Sequence, residues 1–77
     1  MNQFQTTNKV FGTSLRAMRH KAQLTQTQLA KRTGLTRTTV GNIECGRQGT
    51  TLARAAKLAK VCGYSLTFKA APKVTKS

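Results

Sequence analysis

Seventy-seven residues with three Phe, one Tyr and no Trp make one domain at most, with a core assembled mainly from Leu, Val, Ile, Met and Ala. Fourteen Lys and Arg stand against a single acid, Glu44, for a formal net charge of +13; solubility favours mixed signs, so the excess points to a polyanionic partner, nucleic acid first, because Lys and Arg that meet phosphates release condensed counterions. A membrane span is excluded for want of about 18 consecutive apolar residues, and MNQFQTTNKV lacks the order of a secretory signal, so a soluble intracellular protein is expected.

Residues 1–6 read as a flexible N-terminus. From Thr7 to Ala22, Phe11, Leu15, Met18 and Ala22 recur at spacings of four, three and four, one stripe of an amphipathic helix capped by Thr6 or Thr7. Lys9, Arg16 and His20 then face outward, and Gly12 inside the helix costs about 1 kcal/mol against Ala. Thr25, followed three residues later by Gln28, is a capping box that starts a second helix; this helix turns Leu29 and Ala30 inward and stops at Gly34. Leu35 follows as a buried plug. Thr36 caps a short third helix with Leu35, Val40 and Ile43 on its apolar side and Gly46 at its end. Two helices joined by a tight turn containing Gly form a helix-turn-helix.

After a polar connection at 47–51, Leu52, Ala55, Ala56, Leu58, Ala59 and Cys62 line a fourth helix that Gly63 terminates, with Arg54, Lys57 and Lys60 toward solvent. The period then changes from 3.6 to 2: Tyr64, Leu66 and Phe68 alternate with Ser65, Thr67 and Lys69, a strand signal. A lone strand has no ladder partner within one chain, so its simplest completion is the same strand of a second copy. Residues 7–69 are thus one domain with Tyr64, Leu66 and Phe68 as dimerisation residues, and 70–77 read as a disordered basic tail.

The segment LRAMRHKAQLTQTQLAKRTGLTRTTVGNIECGR resembles the Xre/Cro-type helix-turn-helix, whose fold is that of the lambda and 434 repressors. The likeness rests on Leu15, Arg19, Leu24, Thr25, Gln26, Leu29, Ala30, Gly34, Leu35, Thr36, Val40, Ile43, Glu44 and Gly46. It implies an all-α bundle of four to five short helices with a short C-terminal β-strand paired across a homodimer. The third helix would enter the major groove of double-stranded DNA. With Val40 and Ile43 inward, a rotation of about 100° per residue sets Thr38, Asn42 and Cys45 on the opposite face and Gly41 at its margin.

Arg37, Thr38, Asn42 and Gly41 are therefore the base-reading candidates, since Arg suits guanine, Asn adenine, and Thr a hydroxyl partner or a thymine methyl. Gly41 departs from the family pattern, and is read either as a close approach to DNA or as a tolerated defect. Gln26 resembles the family glutamine that bonds a phosphate; Thr36, Arg47, Arg16 and Lys9 complete the phosphate candidates. In related repressors the glutamate matching Glu44 pairs with the arginine matching Arg19, which implies a structural ion pair.

Cys45, Cys62 and His20 fit no zinc pattern, and two free thiols are favoured over a disulfide. No nucleophile–base set, carboxylate pair or phosphate-binding Gly loop is present, so catalytic residues, metal and cofactor are not expected. The basic residues are spread along the chain, unlike those of an interfacial membrane peptide.

TTLARAAKLAKVCGYSLTF resembles the fourth helix and terminal strand of HipB-type antitoxins, through Thr50-Thr51-Leu52, Lys57, Leu58 and Ser65-Leu66-Thr67. Three functions stay open. The favoured one is a dimeric, cytoplasmic repressor of bacterial or phage type on a palindromic operator. The others are an antitoxin that also binds a co-encoded toxin kinase, and a non-specific nucleic-acid binder.

Overall fold

Nothing in QFQTTNKV breaks a helix: it contains neither Pro nor Gly, and each Thr costs only about 0.5 kcal/mol against Ala. In the computed structural model, which describes residues 3–65 and side chains from Asn8 to Ser65, helix α1 accordingly spans Gln3–Lys21. The expected cap at Thr6 or Thr7 is therefore interior to the helix, and residues 3–6, read from the sequence as a flexible lead-in, carry helical backbone. At nineteen residues α1 is not one of the short helices expected. It stops without a glycine: Gln23 takes a left-handed conformation, φ 59°, and the Gln23 and Leu24 N–H groups donate back to the His20 and Arg19 carbonyls at 2.9 and 3.1 Å.

Threonine caps start the other three helices. Thr25 opens α2 (Gln26–Thr33) with a complete capping box: its hydroxyl accepts the Gln28 N–H at 3.0 Å, while its own N–H donates to Gln28 Oε1 at 2.8 Å. Gly34 ends α2 at φ 73°. Thr36 opens α3 (Arg37–Glu44) by accepting the Thr39 N–H at 3.1 Å, and Thr51 opens α4 (Leu52–Val61) by accepting that of Arg54 at the same distance. α3 ends at Glu44 with Cys45 as its cap, two residues short of the glycine expected to close it.

Each helix contributes to one apolar centre. Leu15, Leu29, Val40, Ile43 and Leu58 are its fully buried large side chains, joined by Ala30 and Cys62, with Phe11, Met18, Ala22, Leu24, Leu35 and Val61 packed around them. Burying a side chain of this size contributes about 1.5–3 kcal/mol, which is the main term holding so small a unit together. Leu35 is half-buried at the rim, not the buried plug the turn suggested. Leu52, read from its spacing as part of the inward face of α4, is 62% exposed. Its angular position is within about 20° of Ala59; what exposes it is its place as the first residue of the helix, ahead of the turn that neighbouring helices cover.

α3 packs on α1 and α2, and α4 on α2 and α1. This leaves the outer face of α3 uncovered by other described elements. The crossing of α1 over the end of α3 is close. A Cβ at Gly12 would collide with the Ile43 carbonyl oxygen and lie 2.6 Å from that of Glu44. The glycine that looked only like a weakness in α1 is therefore what lets the two backbones meet.

The strand expected from Tyr64 is not seen among the described residues. Gly63 has φ 91°, and the Tyr64 N–H returns to the Ala59 carbonyl at 2.9 Å, which completes the cap of α4. Tyr64 is exposed; Leu66 and Phe68, the other two expected dimerisation residues, and the tail at 70–77 lie outside the described residues. Among the described residues the fold is four helices.

Candidate nucleic-acid interface

The bare face of α3 begins at its N-terminus. Arg37 and Thr38 are exposed, Gly41 and Asn42 are half-buried, and Val40, Ile43 and Glu44 face inward. Among the described residues the side chains of Arg37, Thr38 and Asn42 make no hydrogen bond, so their donors and acceptors are free to meet a ligand. Thr36 differs. Its hydroxyl accepts the Thr39 N–H and donates to Thr39 Oγ1 at 2.9 Å, which commits it to the cap and leaves the Thr39 hydroxyl proton unspent. Thr39, which the sequence did not single out, stands one helical turn after the cap, with its hydroxyl bonded to that of Thr36.

Past α3 the chain reverses through Gly46, φ 77°, and the Arg47 N–H donates to the Asn42 carbonyl at 3.0 Å. This places the exposed Arg47 against the C-terminal turn of the helix whose other residues face outward. Lys9 comes to the same place from α1: its Cα and Cγ lie within 2.9 Å of where a Cβ on Gly46 would be, and the residue is exposed. Two cations far apart in sequence thus flank one end of α3.

Below that face, Glu44 is held by three donors. Arg19 Nε donates to Oε2 at 2.6 Å and a second guanidinium nitrogen to Oε1 at 3.1 Å, while Gln26 Nε2 also donates to Oε1 at 3.1 Å. Arg19 adds a 2.8 Å hydrogen bond to the Leu24 carbonyl. The pair is buried, with Arg19 7% and Glu44 8% exposed. Hydrogen bonding to Glu44 raises the Arg19 pKa above the ordinary arginine value, outweighing the desolvation that acts in the opposite direction. The contribution of this shift to stability is complete below the ordinary arginine pKa and is lost only above it, so the guanidinium stays charged across neutral pH.

The network ties three helices together, since Arg19 is on α1, Gln26 on α2 and Glu44 on α3. It also consumes the charge of the one acid in the chain. Lys9, Arg16 and Arg47 remain exposed at this end of α3, so the surface potential here is positive. A cleft of 330 Å³ opens here, lined by Arg16, Arg19, Gln26, Glu44 and Cys45. Gln26, the first residue of α2, gives one amide proton to Glu44 and keeps the other, at a helix terminus whose N–H groups favour anions. The coupling of Gln26 to the ion pair was not legible in the sequence, because eighteen residues separate Gln26 from Glu44.

Both cysteines are free thiols, Cys45 exposed and Cys62 buried. Burial is the largest influence on Cys62 and pushes its pKa up, which suppresses the reactive thiolate; the native state therefore favours the protonated thiol, a preference that is lost as pH rises through the folded value. At pH 8 a thiol reagent is expected to label Cys45 rapidly and Cys62 only after denaturant is added. Equal labelling rates in the native protein would show that the core around Cys62 is open.

Among the described residues no cluster of three or more His, Cys, Asp or Glu could hold a metal, and no helix is long and apolar enough to cross a membrane. Residues 10–67, well over half of the chain, match a family model described as a helix-turn-helix domain. No curated protein sequence matches the chain.

Proposed function

The chain belongs to the helix-turn-helix domain family of the Xre/Cro-like type, and from that membership of a DNA-binding family we propose that it is a sequence-specific transcriptional repressor acting as a homodimer on a palindromic operator. The observation that carries the reading is the unspent hydrogen-bonding capacity on α3. Arg37, Thr38 and Asn42 are on the side of α3 that no other described helix covers, with cations at Arg47 and Lys9 beside its end. In the major groove Arg37 reads guanine through O6 and N7, Asn42 reads adenine through N6 and N7, and Thr38 meets a thymine methyl. Gln26, the N-terminus of α2 and Arg47 hold phosphates and set the register, carrying no base information. Two copies would place their α3 helices in successive major grooves, giving half-sites about one helical turn apart. Binding there blocks access to the promoter.

The test is selection of bound sites from a random DNA pool by the full chain. Enrichment of an inverted repeat supports the reading; an unenriched pool, with binding that collapses as salt rises, would show that charge alone drives association. Two substitutions separate the roles on the selected site. Asn42→Ala is expected to cost about 1–3 kcal/mol and relax one base position in each half-site. Arg47→Ala is expected to weaken operator and random duplex alike and to lower the salt slope by about one. Identical behaviour of the two variants would remove the distinction between base and phosphate contacts.

A further inference from the structure

Two of the six glycines interrupt helices, where a glycine weakens the chain. Gly12 is required by the crossing of α1 and α3. Gly41 has no such reason. It is in the middle of α3 with ordinary helical backbone, and a Cβ built on it would touch nothing but the Gln26 side-chain amide, both amide atoms at 3.8 Å, an ordinary contact distance. Neither packing nor backbone geometry within the described structure asks for glycine there, so its reason lies outside the described residues.

The position says what the outside group is. Gln26 spends one proton of its amide on Glu44, and the second is directed by the planar geometry of that amide away from the carboxylate. A group accepting that proton at about 2.9 Å stands next to the amide that a side chain at Gly41 would touch. We infer that Gly41 is a contact glycine, its missing side chain making room for a deoxyribose-phosphate unit of the DNA strand that Gln26 holds. This rests on the proposed DNA-binding function and deepens it: Gln26 supplies the hydrogen bond and Gly41 supplies the clearance. A phosphate contact that depends on clearance at α3 sets how deeply the helix enters the groove, and so which of its residues reach base edges.

A size series tests this. Gly41→Ala and Gly41→Leu are compared with the wild type for melting temperature and for affinity toward both the selected operator and a random duplex. Gly41→Ala is expected to raise the melting temperature by about 4 °C, since alanine replaces a mid-helix glycine without a clash. Its affinity is expected to fall about tenfold on operator and random duplex together, and Gly41→Leu to fall further, as the side chain enters space the strand needs. Wild-type affinity in Gly41→Ala would overturn the inference and leave the DNA-binding function standing, provided Asn42→Ala still loses affinity. A drop in melting temperature would show that glycine serves the fold. A loss confined to the operator would assign Gly41 to a base contact and overturn the backbone assignment. Failure of the wild type to bind duplex DNA at all would bring down the function itself.

Discussion

Gly12→Ala is expected to destabilise the domain strongly, by about 3 kcal/mol, the upper end of the cost of overpacking at a rigid position. The added methyl would strike the Ile43 carbonyl oxygen and sit 2.6 Å from that of Glu44. These are backbone atoms at the end of a capped helix, so no side-chain rotation relieves the contact; α1 has to move off α3. Doing so would pull Leu15 away from Val40 and Ile43, the part of the core the two helices share. A domain of this size has a total stability of about 4–11 kcal/mol, so a loss of that size is a large part of the whole. Thermal melting followed by circular dichroism checks the result, and Gly41→Ala is the matched control. The two substitutions add the same methyl to the middle of a helix and are expected to shift the melting temperature in opposite directions. Shifts of the same sign would mean that helix propensity, and not the α1–α3 approach, governs both positions.

The second large effect is on the ion pair. Glu44→Ala would leave the Arg19 guanidinium buried with only the Leu24 carbonyl and His20 for company, and would leave the Gln26 amide without its acceptor. Breaking a buried pair by removing one partner costs about 3–5 kcal/mol, because the remaining charge keeps its desolvation penalty. The melting temperature is expected to fall by about 15 °C or more, against a few degrees at most for Thr38→Ala, whose side chain is exposed. Arg19→Met combined with Glu44→Leu is expected to recover most of the stability, since replacing both charges by apolar side chains of similar volume removes the penalty. The double variant would still release Gln26 from its brace. Its affinity for DNA is therefore expected to remain low while its fold is restored. Equal melting temperatures for Glu44→Ala and Thr38→Ala would refute the bracing role.

Much of the helix-turn-helix was legible because its signals are local. Thr25 with Gln28 and Thr36 are caps that act within four residues, and Gly34 ends α2 through its own backbone freedom. The stripes Leu15, Leu29–Ala30 and Val40–Ile43 mark buried faces because a helical period leaves little choice. The errors fell where neighbours decide. Leu52 has the angular position of a core residue and lies exposed, and Leu35 reaches only the rim. α1 starts ahead of its expected cap and ends on Gln23, a residue with no stop signal in it.

The candidate site divides in the same way. Thr38 and Asn42 could be placed on one face of α3 by counting rotations from Val40 and Ile43, Arg37 stood at its first position, and the charge excess pointed to a polyanion before any residue was placed. Counting rotations could not reveal that Thr36 spends its hydroxyl on Thr39, that Gln26 is tied to Glu44, or that Lys9 reaches the far end of α3 beside Arg47. Those depend on contacts between segments distant in sequence.

By itself, then, the sequence determined the presence of four helices, the caps at Thr25 and Thr36, the overall sign of the charge and the face of α3 that is turned outward, since each follows from propensity, period or composition within one segment. Only the tertiary structure decided the meaning of the two helical glycines. The same residue type with the same local cost is a point of backbone contact at Gly12 and an open position at Gly41. The difference is what stands opposite each of them: the end of α3 in one case, and in the other the Gln26 amide with open space beyond it.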